Sequence, residues 1–220
     1  SYANSPEQYH HVGPLFDTPR KSTSIDIVGT QAMPENIQGT ALIGGYFGHV
    51  VQLHRFEDAG SGFKSTVLPD LMRSSNTAFR PVDVSVGPDG ALYLADWYNP
   101  VIGHYQASYA DPNRDKKHGR IWRITAKGYK PIKQPKLVDM TSSQLLEQLH
   151  SPERWTRQQA KRLLFDRPSR EVLSAIDAMK NIDDDHRLLE VIGVCQAHQS
   201  PRPKLLGRLL IAEDPRIRAY

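Results

Sequence analysis

The sequence predicts a mixed fold in which β and α structure are segregated along the chain, antiparallel sheet first and helices after. Three observations predict it. Residues 1–126 hold most of the glycines and a series of short β-type runs. Residues 137–220 hold almost no glycine and carry helical periodicity throughout. Between them, residues 127–136 carry two prolines and four lysines, the make-up of an extended, solvated linker.

Composition sets the outer limits. Of 220 residues, 39% are apolar and 24% charged, which excludes wholesale disorder. The net charge, 28 − 24 = +4, comes without any concentrated basic run and argues against nucleic acid as a partner. No apolar stretch approaches the ~20 residues that span a bilayer. The single Cys195 excludes an internal disulfide, a four-Cys zinc site and a Cys-x-x-Cys-His haem site within the chain. The opening Ser1, in place of Met, suggests a processed product or an excised piece.

In chain order, strands are expected at Ser24–Val28, Thr40–Tyr46, His49–Arg55, Phe63–Leu68, Val82–Val86, Ala91–Asp96 and Arg120–Thr125. The glycines of Gly44-Gly45-Tyr46-Phe47-Gly48-His49 are expected to supply a hairpin bend. Val82-Asp83-Val84-Ser85-Val86 alternates apolar with polar, as a half-buried strand does. Ala91-Leu92-Tyr93-Leu94-Ala95 is apolar throughout, and burial on both faces is expected. Between them, Pro88 presets the first corner of a tight turn, Asp89 suits the second, and Gly90 takes the positive φ that follows. Short antiparallel strands at regular spacing suit a sandwich, a barrel or propeller blades.

Helices are expected at Ser142–Leu149, Glu153–Asp166, Arg170–Lys180, Asp184–His198 and Pro203–Ala212. Pro152 and Pro203 suit first-turn positions, Ser151 suits a cap, and the Asp183-Asp184-Asp185 run caps the helix after it. Ser151-Pro152-Glu153-Arg154 is echoed by Asp214-Pro215-Arg216-Ile217, a weak repeat of the kind helical-hairpin solenoids show. Asp214–Tyr220 reads as the start of a further helix cut short, so the native protein is expected to continue past Tyr220.

One block is specific enough to suggest a family. It runs Phe79-Arg80-Pro81-Val82-Asp83-Val84, then from Gly87 through Asp96-Trp97-Tyr98-Asn99-Pro100 to His104, then Asp111-Pro112-Asn113-Arg114-Asp115 and His118-Gly119-Arg120-Ile121-Trp122-Arg123-Ile124-Thr125. With Gly39–His54 and Leu145–Asp166, it resembles a large bacterial family of membrane-bound dehydrogenases. The resemblance implies a glucose/sorbosone-dehydrogenase-type β-propeller, then HEAT-like helical repeats and often a C-terminal cytochrome c domain. It makes residues 1–126 the last blades of a partial propeller, and residues 137–220 a truncated HEAT-like region. It further implies an internal fragment of a quinoprotein-like dehydrogenase, inactive alone, that oxidises a sugar or polyol and passes electrons to a haem domain outside this chain. Pyrroloquinoline quinone and calcium are the implied cofactors, and a periplasmic or envelope-associated location is implied as well. The alternative is a non-catalytic binding module for polysaccharide or protein at the cell envelope.

The long polar connection Asp96–His118 is the richest in chemistry, since loops on a rigid sheet are where sites tend to sit. Trp97, Tyr98 and Asn99 suit stacking and hydrogen bonding of a sugar or quinone; equally, Trp97 suits a plug between blades. His104 and His118 are the general-base candidates, with Asp96 or Asp115 to orient the ring; each suits a structural bond to a backbone carbonyl too. Asp111, Asn113 and Asp115 alternate as calcium ligands do, but Lys116 and Trp122 stand where the EF-hand needs Gly and an acid. The competing reading is a salt-bridge network with Arg114 and Arg120. Arg80, Arg114 and Arg120 also suit carboxylates of a ligand, while Arg123 reads as a solvated strand position. His10, His11, His49 and His54 lack metal-ligand spacing. No phosphate loop, nucleophile elbow, zinc-protease helix or dinucleotide fingerprint is present, which argues against nicotinamide use.

Overall fold

The computed structural model describes residues 22–60, 62–102, 109–179, 182 and 184–219. Antiparallel sheet comes first and helices follow. The chain divides into two compact units. Of the described residues, one unit holds 22–28 and those within Pro34–Ser85 and Leu92–Thr125; the other holds Gly29–Met33, Val86–Ala91 and those from Ala126 onward.

The first unit carries seven strands in two sheets. β1 (Ser22–Ile27), β2 (Ala41–Gly45), β3 (Val50–Ala59) and β4 (Gly62–Arg73) form one sheet in that order. β5 (Pro81–Val86), β6 (Leu92–Asp96) and β7 (Arg120–Ile124) form the other. All seven expected strands are present. No closed barrel or propeller forms among the described residues. Leu42, Ile43, Val51, Phe79, Leu92 and Leu94 are fully buried. The sheets are tied within this unit where the Thr23 hydroxyl donates to the Pro81 carbonyl at 2.8 Å.

Three local expectations need correction. β4 runs past Leu68 to Arg73, through Pro69. Proline lacks the ladder donor, and it is tolerated here because β4 is an edge strand whose pairing with β3 slips between Leu53↔Leu68 and Val51↔Met72. The bend between β2 and β3 is carried by His49 at φ 52°, not by a glycine. Gly44 lies in β2, where a Cβ would fall 2.7 Å from the Thr23 hydroxyl and 2.9 Å from that of Ser24. The apolar run on β6 is not buried on both faces: Leu92, Leu94 and Asp96 are buried while Tyr93 and Ala95 are half-buried. The partly open face lets Arg123 donate to the Tyr93 hydroxyl at 3.3 Å.

The second unit is helical: α1 (Ser142–Gln148), α2 (Arg154–Asp166), α3 (Ser169–Asp177), α4 (Asp185–Ala197), α5 (Pro203–Leu209) and α6 (Pro215–Ala219). Their apolar faces meet in one core that includes Leu145, Leu149, Leu164, Val172, Leu188, Val191 and Cys195. Thr141 and Gln144 close a capping box on α1, and the Asp184 side chain caps α4 by accepting from the Arg187 amide at 2.6 Å. Pro203 opens α5 as expected. Ser151 does not cap α2. Its hydroxyl accepts from the Glu153 amide at 3.2 Å, and Glu153 holds the N-cap position. Two short segments from earlier in the chain join this unit. The Gly29 carbonyl accepts from the Arg154 amide at 2.9 Å, and the Gln31 amide donates to the Glu153 carboxylate at 2.9 Å. The turn before β6 belongs here too, with Gly90 at φ 78° and the Asp89 carbonyl accepting from the Ile132 amide. No helix of the described residues is long and apolar enough to cross a membrane.

Candidate functional site

Asp96 ends β6 with its side chain withdrawn from water. One carboxylate oxygen accepts from the Arg80 amide at 2.8 Å and the Tyr98 amide at 2.9 Å. The other accepts from Arg120 Nε at 2.8 Å and Trp122 Nε1 at 3.1 Å, and pairs with Arg120 NH2 at 2.8 Å. Burial pushes this carboxyl up, but the ring of donors outweighs it and holds the group below its ordinary value. Asp96 therefore has no capacity left to orient a histidine. It fixes the start of the loop instead, and lets Tyr98 adopt φ 52°.

Arg80 fixes the next residues. It is 5% exposed, yet its guanidinium meets carbonyls rather than a carboxylate. It donates to Asn99 O at 3.0 Å, Tyr46 O at 3.2 Å and Pro100 O at 3.4 Å. It also lies 3.3 Å from His49 Nε2, whose other nitrogen faces the Phe79 carbonyl at 2.8 Å. Asn99 is buried, bridging the Val101 amide and the Asp115 carbonyl. Arg120 packs its guanidinium 3.9 Å from the centre of the Tyr98 ring. Trp97 is 41% exposed and stacks on Tyr46 with ring centres 6.0 Å apart. Tyr46 stands outside the candidates that the sequence offers. The only signal for it was an aromatic residue within a glycine-rich turn.

The remaining candidates gather at a cleft in this unit of about 470 Å³, lined by Tyr98, Asn113, Arg114, Asp115, Lys116, Lys117 and His118 among others. His118 is 68% exposed at the side chain, and its Nδ1 lies 2.8 Å from Asp115 Oδ2. Asp115 Oδ1 accepts the Lys117 and His118 amides, each at 2.9 Å. The Lys117 amide first, and His118 next, hold the Asp115 carboxyl below its ordinary value. Of the two carboxylates weighed for His118, Asp115 is the one beside it. The Tyr98 ring meets His118 edge-on, with centres 6.4 Å apart.

Asp111 turns an oxygen onto the Asn113 amide at 2.8 Å. No group of three or more His, Cys, Asp or Glu side chains comes together among the described residues. Arg120 pairs with Asp96 and not with the Asp111–Asp115 loop. His54 is fully buried between Ser65 and Gln52, where desolvation lowers its pKa. His104, His10 and His11 lie outside the described residues.

A model of a family described as a domain of unknown function, DUF7133, matches residues 16–128. The chain belongs to the DUF7133 family. The matched stretch spans all seven strands, Asp96 and its donors, and the His118 cleft. The helices that follow α1 onward lie outside the DUF7133 match. No curated protein and no solved structure matches the chain.

Proposed function

We propose that this DUF7133 chain forms the substrate-facing part of a sugar- or alcohol-oxidising protein at the cell envelope, with His118 as general base. The observation that carries the reading is the His118–Asp115 pair on the rim of the cleft. Asp115 engages Nδ1 and leaves Nε2 as the nitrogen for a ligand. In the reaction, Nε2 accepts the hydroxyl proton of the substrate as its carbon gives up hydride, and a C=O bond replaces the C–OH. The hydride, with its two electrons, passes to a two-electron acceptor supplied from outside the chain, which in the assay below is the redox dye. The larger architecture in this reading is a propeller whose last blades are the two sheets, followed by HEAT-like repeats and a haem domain.

The implied cofactors do not fit the described residues well enough to route a step through them. Calcium finds no cluster of three acidic or imidazole ligands. The rigid Arg80 and Arg120 forks are already spent on carbonyls and on Asp96, and the Arg114 guanidinium lies over the Tyr109 ring. Asp96, Asn99 and Arg120 are positioning residues, holding Tyr98 and the loop that carries His118.

The test uses the native protein in dye-linked oxidation across a panel of sugars and polyols. His118→Ala is expected to cut turnover about 10²–10⁴-fold, the usual value of a positioned base, while ligand binding persists. Turnover unchanged in His118→Ala would sink the role of His118. No oxidation of any panel member would sink the enzyme reading. The exposed Trp97–Tyr46 stack would then favour the second reading, a module that binds glycan through aromatic faces.

A further inference from the structure

We infer that the His118 cleft selects a sugar or polyol bearing a carboxylate, a sugar acid rather than a neutral sugar. This rests on the oxidoreductase reading of the same cleft and names its substrate class. Charge carries the argument. Lys116 and Lys117 line the cleft beside Arg114, and among the described residues Asp115 is the one carboxylate that does. Asp115 supplies one negative charge against the two lysines. Its Oδ1 is taken by two backbone amides and its Oδ2 by His118. Neither Lys116 nor Lys117 has a carboxylate partner among the described residues. The cleft thus presents an excess of positive charge beside a base whose task is to take a proton from a neutral hydroxyl.

A carboxylate at the lysine side and a hydroxyl at His118 Nε2 would satisfy both features at once. Asn113 adds polar lining suited to further hydroxyls. A resident quinone also carries carboxylates, but rigid planar anions are best held by guanidinium forks; Arg80 and Arg120 are engaged elsewhere, and Arg114 lies over the Tyr109 ring, 5.4 Å from its centre. The two lysines are flexible point charges on an open rim. They suit a ligand that binds and leaves, and their attraction weakens with salt.

Sorbitol and gluconate form a matched pair, alike in carbon count and differing in charge. With native protein at low ionic strength, kcat/KM for gluconate is expected to exceed that for sorbitol. In the double variant Lys116→Gln, Lys117→Gln, the gluconate-to-sorbitol ratio of kcat/KM should fall about tenfold, and added salt should mimic the change. Both side chains are at the surface, and an unchanged thermal melt would confirm an intact fold. An unaltered ratio, or sorbitol preferred by the native protein, overturns the inference. Direct binding separates this from failure of the enzyme reading. Should nothing be oxidised, calorimetric binding of gluconate that the double variant loses still supports a sugar-acid site. Absence of gluconate binding by native protein overturns it even where sorbitol is oxidised. Pyrroloquinoline quinone bound in place of gluconate, and lost in the double variant, also overturns it, because the cations would then serve a cofactor.

Discussion

Asp96 is the residue on which the β unit depends most. Five N–H groups converge on a carboxylate with no exposure of its own. Asp96→Asn is expected to cost about 3 kcal/mol, because Arg120 loses its charge partner and an amide brings donors where only donors already stand. Chemical denaturation at pH 7 would measure this; a loss below about 1 kcal/mol would mean the network relaxes without it. The pH dependence has a definite sign. The folded-state value of Asp96 lies below its ordinary 3.8, so its contribution is complete above about pH 4 and fades as pH falls through the folded value. Stability should therefore drop on acidification below pH 4, and less steeply in Asp96→Asn. Glycines offer a second contrast. Gly39 and Gly90 have φ of 69° and 78°, but a Cβ at Gly39 meets nothing, whereas at Gly90 it would lie 2.5 Å from the Thr30 hydroxyl and 2.6 Å from Ala32 Cβ. Gly39→Ala should cost about 1–2 kcal/mol from backbone strain alone, and Gly90→Ala about 3 kcal/mol with overpacking added. The sequence marked Gly90 as a turn residue from its neighbours Pro88 and Asp89. It gave no sign of the crowding, which comes from segments far along the chain. Asp96 was legible as a polar end to an apolar strand, but its partners Arg80, Arg120 and Trp122 are distant in sequence, so its structural task was not.

At the scale of elements, period and punctuation were enough to place strands and helices. The seven β runs and the six α-helices of the described residues, α6 among them, stand where alternation, helical faces and proline predicted them. The errors lie where tertiary context overrides a local rule. Pro69 reads as the end of a strand, yet β4 continues because an edge strand leaves one row of amides unpaired. The β2–β3 bend reads as a glycine turn, yet His49 takes the left-handed conformation, held by its ring bond to the Phe79 carbonyl. Cap chemistry permits a sharper test. Thr141 accepts from the Gln144 amide while the Gln144 side chain accepts from the Thr141 amide at 2.8 Å. Thr141→Ala should cost about 1 kcal/mol, and Thr141→Ser much less, since serine keeps the hydroxyl. Thermal melts of the two variants would decide it. Equal losses would mean that the threonine methyl, not the cap, is what counts.

At the scale of the molecule, a boundary drawn by composition near residue 136 does not match the compact units. The helical unit takes in Gly29–Met33 and Val86–Ala91, which the sequence assigns to the β half. These segments are tied to it by hydrogen bonds. The Arg154 amide and the Glu153 carboxylate, at the start of α2, bond to Gly29 and Gln31, and Ile132 bonds to Asp89. Gly90 packs against Thr30, Ala32 and Ile132 in the same place. A hydrogen bond of this kind contributes about 1 kcal/mol net, and an orphaned donor costs about as much again. A piece spanning residues 126–220 keeps the apolar core of α1–α6 but loses these ties. It should remain helical, with a stability about 2–4 kcal/mol lower than the same helices have in the intact chain, and with the first turn of α2 frayed. Hydrogen exchange would locate the loss. Faster exchange at the Arg154 amide, against unchanged protection at Leu188 and Val191 in the core of α4, is the expected pattern. Equal protection of Arg154 in the piece and the intact chain would show that the early segments rest on the helical unit without stabilising it. Composition could not have revealed this coupling, because the residues that make it, Gly29, Gln31 and Asp89, use backbone atoms that every sequence shares.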